Sequence, residues 1–417
     1  MWRYKLIMIL LAIPLGLYTL WQAIRCRNSY YLRERLGLFR TDIIRTHDVW
    51  IHAASVGEVN AAMPLIHYMH EECKNISIIL TTTTPTGAQI ARRKLPPEYS
   101  CFFLPIDWQI GIARFLESMR PACALIMETE LWPNLFQACN DRNIPLTIVN
   151  GRLSNRTMNA RPWLKNIYAT ILTSTQAILA RSQTDHDRFV ALGANPATTK
   201  IMGNIKFAPG PLLLSKNAIP VGRPYVLAAS TRDGEERLLV RTWKKLDTDN
   251  RLLVIVPRHP QRMQQILKDL EPLNVEVAVR SKNEPIKEST QIYLADTMGE
   301  LTNFFMGAEL VFVGGSLVPF GGQNILEPAE AGKAVIFGPH MENFAEEATL
   351  LIERGAALQA LDEAHLHSIL SVLLDSPEKV EAMAESGKKI MLENMDVLEH
   401  YMVALQRLHP VIHELCG

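Results

Sequence analysis

The segment His52-Ala-Ala-Ser55-Val-Gly57-Glu58 puts a carboxylate in the first turn of a helix directly after an apolar strand. Small residues and a glycine let backbone approach a ligand closely at a helix amino terminus. A carboxylate held there is placed to take a proton from a hydroxyl. An isolated glutamate in a first turn does no more than complement the helix dipole; its place after a strand-end glycine, on the ligand side of a sheet, gives Glu58 a catalytic reading. Met127-Glu128-Thr129-Glu130-Leu131-Trp132-Pro133-Asn134 ends another apolar strand with two carboxylates, which are costly to bury unless paired or used. Glu130 fits the N-cap of a helix opening at Leu131, whereas Glu128, one residue off a buried strand, fits it poorly. Gly203-Asn204-Ile205-Lys206-Phe207 supplies a lysine that either compensates one of these carboxylates, contacts an anionic substrate, or is simply solvated.

A second group lies in the other half of the chain. Ala228-Ala-Ser230-Thr231-Arg232-Asp-Gly-Glu235 joins a strand to a helix and carries good N-cap types. Val256-Pro257-Arg258-His259-Pro260 follows the next strand. Phe312-Val-Gly314-Gly315-Ser316 and Phe320-Gly321-Gly322-Gln323-Asn324-Ile325-Leu326-Glu327-Pro328 place four glycines after a strand and before a helix expected to open near Gln323. That pattern suits a phosphate cradle, with Glu327 one turn in to take the hydroxyls of a ribose. Gly338-Pro-His340-Met-Glu-Asn343 is the next loop on the same face. Asp247-Thr248-Asp249 has the spacing with which some sugar transferases hold a divalent metal. It falls between a helix and the following strand, the wrong end of a sheet for a ligand, and reads as an ordinary turn. The sequence holds no other metal constellation, so no metal is expected.

The elements that must carry these loops alternate. Apolar runs at Val49–Ala54, Ile76–Thr82, Cys101–Pro105, Cys123–Met127 and Leu146–Val149 are spaced by helical stretches at Glu58–Met69, Gly87–Lys94, Ile110–Met119 and Leu131–Asn140. A second series follows at Tyr225–Ala229, Leu252–Val256, Val275–Val279, Ile292–Ala295, Leu310–Gly314 and Ala334–Phe337. Strands that are apolar throughout, spaced by helices, make a parallel sheet covered on both faces. The joint between the series lies at Phe207–Arg223, where prolines and a glycine break regular structure. The expectation is an α/β chain of two Rossmann-like domains facing across a cleft, divided as 28–210 and 211–417, with a mostly helical stretch from about Asp362 (Glu378–Lys389, Leu392–Leu408).

Composition narrows the partners. Lys+Arg and Asp+Glu are equal at 43 each, which gives no basic excess for nucleic acid. The six cysteines are scattered without CxxC or zinc spacing, and six reduced, buried or cytosolic thiols are the simplest account. Leu6–Ile24 is an almost unbroken apolar run between basic residues. As one helix it would cover about 28 Å, close to a bilayer core. The aromatic and basic flanks, without a small-residue cleavage site, favour a retained membrane anchor over residues 1–27. Basic residues downstream (Arg25, Arg27, Arg33, Arg35, Arg40) put the body on the cytoplasmic side.

These loops, in order and over nearly the whole chain, resemble the signature segments of the Kdo (3-deoxy-D-manno-octulosonic acid) transferases. The resemblance rests on His52–Glu58, Met127–Asn134, Gly203–Lys206, Pro257–Pro260 and Gly321–Pro328. It implies the GT-B glycosyltransferase fold with an N-terminal membrane helix, an acceptor-binding first domain and a CMP-Kdo-binding second domain. It further implies inverting, metal-independent transfer of Kdo from CMP-Kdo to a hydroxyl of a lipid A precursor, lipid IVA, at the inner membrane in lipopolysaccharide synthesis. No cofactor is implied, since CMP-Kdo is a substrate. By the same resemblance Glu58 is the general base, and Glu128 and Lys206 stabilise the transition state. Pro257, Arg258, Met298, Gly299, Glu300, Asn324, Ile325, Leu326 and Glu327 contact CMP, beside Gly321 and Gly322 of the glycine loop. Two other classes share such an architecture: soluble sugar-nucleotide 2-epimerases, against which the apolar Leu6–Ile24 run argues, and a non-catalytic nucleotide or glycolipid binder.

Overall fold

The computed structural model describes residues 2–39, 46–208 and 218–416. Arg40 and the middle of the expected joint, residues 209–217, lie outside the described residues. The chain divides into two compact units, one of Met1–Ala208 with Asp396–Gly417, the other of Pro209–Met395.

The first unit is built on a seven-stranded parallel sheet of β1 (His47–His52), β2 (Ile78–Thr82), β3 (Ser100–Phe103), β4 (Pro121–Met127), β5 (Leu146–Gly151), β6 (Ala177–Ala180) and β7 (Thr199–Ile201), in the order β3-β2-β1-β4-β5-β6-β7. Alternate side chains leave by opposite faces. Val49 and Ile51 therefore pack under the helix Val56–Glu72, while Trp50 goes to the other face with Phe115 and Phe136. Both layers are dry, which is why these strands carry no polar alternation.

The same face as Val49 also receives the end of the chain, on helices Val397–Leu408 and Pro410–Cys416. Tyr401 is fully buried and donates its hydroxyl to Gly203 O at 3.0 Å. His409 Nε2 meets Thr147 Oγ1 at 2.9 Å. Residues 396–417 therefore complete the first unit, where the boundary at 211 had given them to the second. Cys73 and Cys416 form a disulfide, so six reduced thiols is not the state described here. The helix expected at Leu392–Leu408 is interrupted, with one helix ending at Leu392 and the next starting at Val397.

The second unit repeats the design with β8 (Tyr225–Thr231), β9 (Leu252–Pro257), β10 (Val277–Val279), β11 (Ile292–Leu294), β12 (Leu310–Val313), β13 (Ala334–Phe337) and β14 (Ala357–Gln359). The order β10-β11-β9-β8-β12-β13-β14 is again wholly parallel. In both sheets the strand order reverses at the centre, between β1 and β4 and between β8 and β12. Such switch points open a crevice beyond the carboxyl ends of the strands.

The amino-terminal run is not one helix. Trp2–Leu10 and Ala12–Arg25 meet at a bend of 52°, and neither alone is long and apolar enough to cross a membrane. Pro14 accounts for the break, because it has no N–H for the Leu10 carbonyl and its ring crowds that group. Trp2, Ile9, Leu10, Ile13, Leu17 and Ile24 are mostly exposed. The pair is nevertheless fastened to the first unit at both ends. Tyr4 donates its hydroxyl to Asp107 Oδ2 at 2.8 Å, and Ala23 packs with Tyr31, Ala88 and Phe103.

Candidate active site

At the first switch point the loops after β1 and β4 stand side by side. Ser55 is the N-cap of Val56–Glu72, its side chain accepting from Glu58 N at 3.3 Å. Glu58 reaches back: Ala54 N donates to Oε2 at 2.8 Å and Ser55 Oγ to Oε1 at 3.1 Å. This reciprocal cap fixes the carboxylate. Thr82 and Thr83 hold the loop from β2, both hydroxyls donating to Ala54 O at 2.9 Å. Glu58 is thus a helix cap and also a buried acid. Burial, then the nearby charges of Glu130 and Glu128, push its pKa up to about 8.

Glu128 directly follows β4 with φ +54, a left-handed conformation unusual for a glutamate. Arg152 Nε lies 3.0 Å from its Oε2 and Lys206 Nζ 3.3 Å from its Oε1. Of the readings open for Lys206, the one observed is compensation of a carboxylate. Asn150 aims it by accepting Ile205 N at 3.1 Å, and Asn204 accepts Lys206 N at 3.1 Å. Glu130 is not the expected N-cap: the helix opens at Pro133, and Trp132 Nε1 donates to Glu130 Oε2 at 2.6 Å. The group that satisfies that helix is Asp107, which accepts Asn134 N at 3.0 Å and Leu135 N at 2.8 Å. Burial raises Glu130's pKa, but the His52 ring at 3.9 Å, Trp132 and Arg35 outweigh it and the net shift is downward. Glu130 therefore stays ionised while Glu58 is poised near neutrality. Lys206 pairs with Glu128, and Glu58 lies close enough to Glu128 and Glu130 to feel their charge; the roles of Glu130, Asp107 and Arg35 came from contacts with no local sequence signal.

At the second switch point, Pro257 is buried at the end of β9 and the Arg258 side chain is exposed. Gly299 has φ +84 beside an exposed Met298, but Glu300 is engaged inward. Arg280 donates to both its oxygens, at 2.6 and 2.7 Å, and holds its pKa down at about 2. The Met298-Gly299-Glu300 turn thus offers a ligand backbone and the Met298 side chain rather than a free carboxylate.

The glycine loop departs from the expected cradle. Glu235, fully buried, accepts Arg232 N at 2.8 Å, Gly315 N at 2.6 Å, and Ser316 N and Leu317 N at 2.9 Å each. Gly314 N donates to Ala229 O and Gly322 N to Gly315 O. These amides are committed within the protein. Gly314 has another purpose: a Cβ there would fall 2.6 Å from Thr231 Cα, so it lets β8 and β12 close up. Gly321 and Gly322 have φ +81 and +77 and turn the chain toward Asn324. The helix begins at Leu326 rather than Gln323. Asn324 accepts Leu326 N at 3.1 Å and donates to Glu327 Oε1 at 3.0 Å, so Asn324, Ile325, Leu326 and Glu327 form one ordered rim. Asp247–Asp249 lies in the turn before β9, at the amino end of the sheet, with Asp249 at φ +41. Among the described residues no cluster of histidine, cysteine and acidic side chains has metal-site geometry.

The sequence profile described as 3-Deoxy-D-manno-octulosonic-acid transferase (kdotransferase) matches residues 31–209. The 3-deoxy-D-manno-octulosonic acid transferase of Haemophilus influenzae is 33% identical over 97% of this chain and 98% of its own. The chain belongs to the Kdo transferase family. That of Bordetella pertussis is 34% identical over 82% of each chain. Among solved structures, the UDP-GlcNAc 2-epimerase from Neisseria meningitidis bound to UDP-GlcNAc superposes with a TM-score of 0.54, covering 86% of this chain and 100% of that one. At 12% identity it shows the fold alone, a GT-B-like pair of parallel sheets flanked by helices. A Kdo transferase is a glycosyltransferase, and this chain is such an enzyme.

Proposed function

We propose that the chain moves Kdo from CMP-Kdo to a hydroxyl of a lipid A precursor, lipid IVA, with inversion and without a metal, in lipopolysaccharide synthesis. The observation that carries this reading is Glu58, a buried carboxylate at the first switch point with its pKa raised to about 8. A general base works best when its pKa lies near the working pH. Glu58 takes the acceptor proton as the hydroxyl attacks the Kdo anomeric carbon, which passes through an oxocarbenium-like state. Attack opposite the leaving group inverts that centre. Lys206, aimed by Asn150 and paired with Glu128 at 3.3 Å, holds the donor's carboxylate and steadies the developing charge. The first unit binds acceptor and the second binds donor, through Pro257, Arg258, Met298, Gly299, Glu300, Gly321, Gly322, Asn324, Ile325, Leu326 and Glu327. CMP leaves as a monophosphate ester with no pyrophosphate bridge for a metal to chelate.

The enzyme works on the cytoplasmic face of the inner membrane, with its bent amino-terminal helix pair lying along the lipid interface. Tyr4 and Ala23 both touch the first unit. About 19 residues of straight helix would carry them roughly 28 Å apart, to opposite sides of the hydrocarbon.

The deciding experiment incubates full-length protein with CMP-Kdo and lipid IVA and weighs the lipid by mass spectrometry. A mass gain of one or more Kdo residues is expected, persisting with excess chelator. Glu58→Ala should lower transfer at least about 10²-fold while CMP binding stays near wild type. CMP release without product lipid, or full turnover by the alanine variant, overturns the reading.

A further inference from the structure

The commitment of the glycine-loop amides leaves a question of charge. A nucleotide monophosphate on the second unit needs positive groups, and Gly314, Gly315, Ser316, Leu317 and Gly322 already donate within the protein. The nearest cations come from the loops after β8 and β9. Arg232 leaves the carboxyl end of β8, beside the switch point. Its guanidinium lies 5.2 Å from the Phe320 ring centroid, and its Cγ is 3.5 Å from where a Cβ on Gly315 would stand. Nη1 donates to His259 Nε2 at 2.8 Å, so His259 is the neutral tautomer with its proton on Nδ1. Burial and the surrounding arginines hold that ring's pKa below its ordinary value, which agrees with this assignment. The buried Nε of Arg232 has no hydrogen-bond partner.

Three arginines converge here, yet only one is neutralised. Arg262 bonds Glu236 at 3.0 Å and Asp233 at 2.8 Å. Among the described residues Arg232 and Arg258 make no ion pair, and the nearby Glu235 carboxylate is spent on four amides. Arg232, set by an aromatic ring and an imidazole and close enough to Arg258 to feel its charge, forms an arrangement that an anion completes. A guanidinium presents a fork of donors that matches a phosphate.

We propose that Arg232 binds the phosphate of the nucleotide donor, with Phe320 and His259 pre-setting its fork and Arg258 sharing the charge. This rests on the donor being a nucleoside monophosphate ester, as in the function proposed above. The role is strongest as the bond to the sugar breaks. The phosphate oxygen then gains negative charge as CMP departs, and a cation already in place stabilises it without rearrangement.

The test measures binding of CMP, cytidine, UMP and uridine to the full-length wild type, Arg232→Ala and Arg232→Lys by calorimetry. Thermal melting checks that the variants fold. The wild type is expected to bind CMP at least about tenfold more tightly than cytidine, the size of one charge-assisted hydrogen bond. Arg232→Ala should erase most of that ratio while leaving cytidine affinity within about twofold; Arg232→Lys, which keeps charge but loses the fork, should fall between. Should UMP prove the tighter ligand, the cytidine assignment fails and Arg232 is judged on the UMP-to-uridine ratio instead. No nucleotide-to-nucleoside preference in the wild type, or a preference that survives Arg232→Ala, overturns the proposal.

Discussion

Glu58 and Glu130 lie at the same switch point, yet their surroundings drive their pKa values apart. Glu58 has only neutral donors, Ala54 N and Ser55 Oγ, and two acidic neighbours; Glu130 has His52, Trp132 and Arg35. The charge on Glu130 thus raises the basicity of Glu58. Transfer measured as kcat/KM should therefore climb between about pH 6 and pH 9, following deprotonation of an acid near 8. Glu130→Gln removes the repelling charge and should move that limb to lower pH while lowering the plateau; an unmoved limb would detach the profile from Glu58. The pair Glu128–Lys206 calls for a second measurement. Removing Lys206 leaves Glu128 to Arg152 alone, and removing Glu128 takes a carboxylate from both cations, so Glu128→Gln and Lys206→Met should each cost activity, and the double variant should cost less than their sum. The expected coupling is about 0.5–3 kcal/mol; strict additivity would mean that the 3.3 Å contact does not matter to transfer.

Tyr401, far from the first strands in sequence, shows what an element can be for. Its ring is fully buried on the first sheet and its hydroxyl bonds Gly203 O, three residues before Lys206. Tyr401→Ala should destabilise the first unit by roughly 3–5 kcal/mol, and Tyr401→Phe should cost about 1 kcal/mol while disturbing the Lys206 turn. Denaturant unfolding read from the two units separately, with the donor site followed by CMP binding, checks whether the loss is confined to the first. This contact also marks where the sequence stops being legible. The long strands could be read because both faces are apolar, and the switch-point loops because β1, β4 and β12 lead into Ser55-Val-Gly57-Glu58, Glu128 and Gly314-Gly315-Ser316. Strands β7 and β14 each leave two of their three residues outside the core and so carry no apolar run to read. The return of residues 396–417 to the first unit depends on partners such as Thr147 and Cys73, hundreds of residues away. Likewise, nothing local to Glu235 says that it will fill the glycine loop some eighty residues later.

At the scale of the molecule, pH acts on stability through groups that folding buries. His409 is packed against Thr147 with its pKa lowered to about 4 by burial, against an ordinary 6.5. The unfolded chain binds the extra proton between those values, so this group's contribution is intact above pH 6.5 and is lost as pH falls through about 4. Glu58 works in the opposite sense. Its raised pKa means that the folded state holds a proton from pH 4.5 up to about 8, and stability declines as pH rises across that window. Glu58→Gln should therefore melt higher than the wild type above pH 8 and nearly equal to it below pH 5, while transferring no sugar. Burying a carboxylate in this first turn is thus a stability cost above pH 4.5, which the role proposed for Glu58 would explain. Thermal melts of wild type, Glu58→Gln and His409→Gln from pH 4 to 9 separate the two effects. The His409 variant should lose the acid-side slope and keep the alkaline one. If both slopes persist in both variants, the buried groups that govern the pH response lie elsewhere, and the 2.8 Å bond from Ala54 N to Glu58 holds the ionised rather than the protonated form.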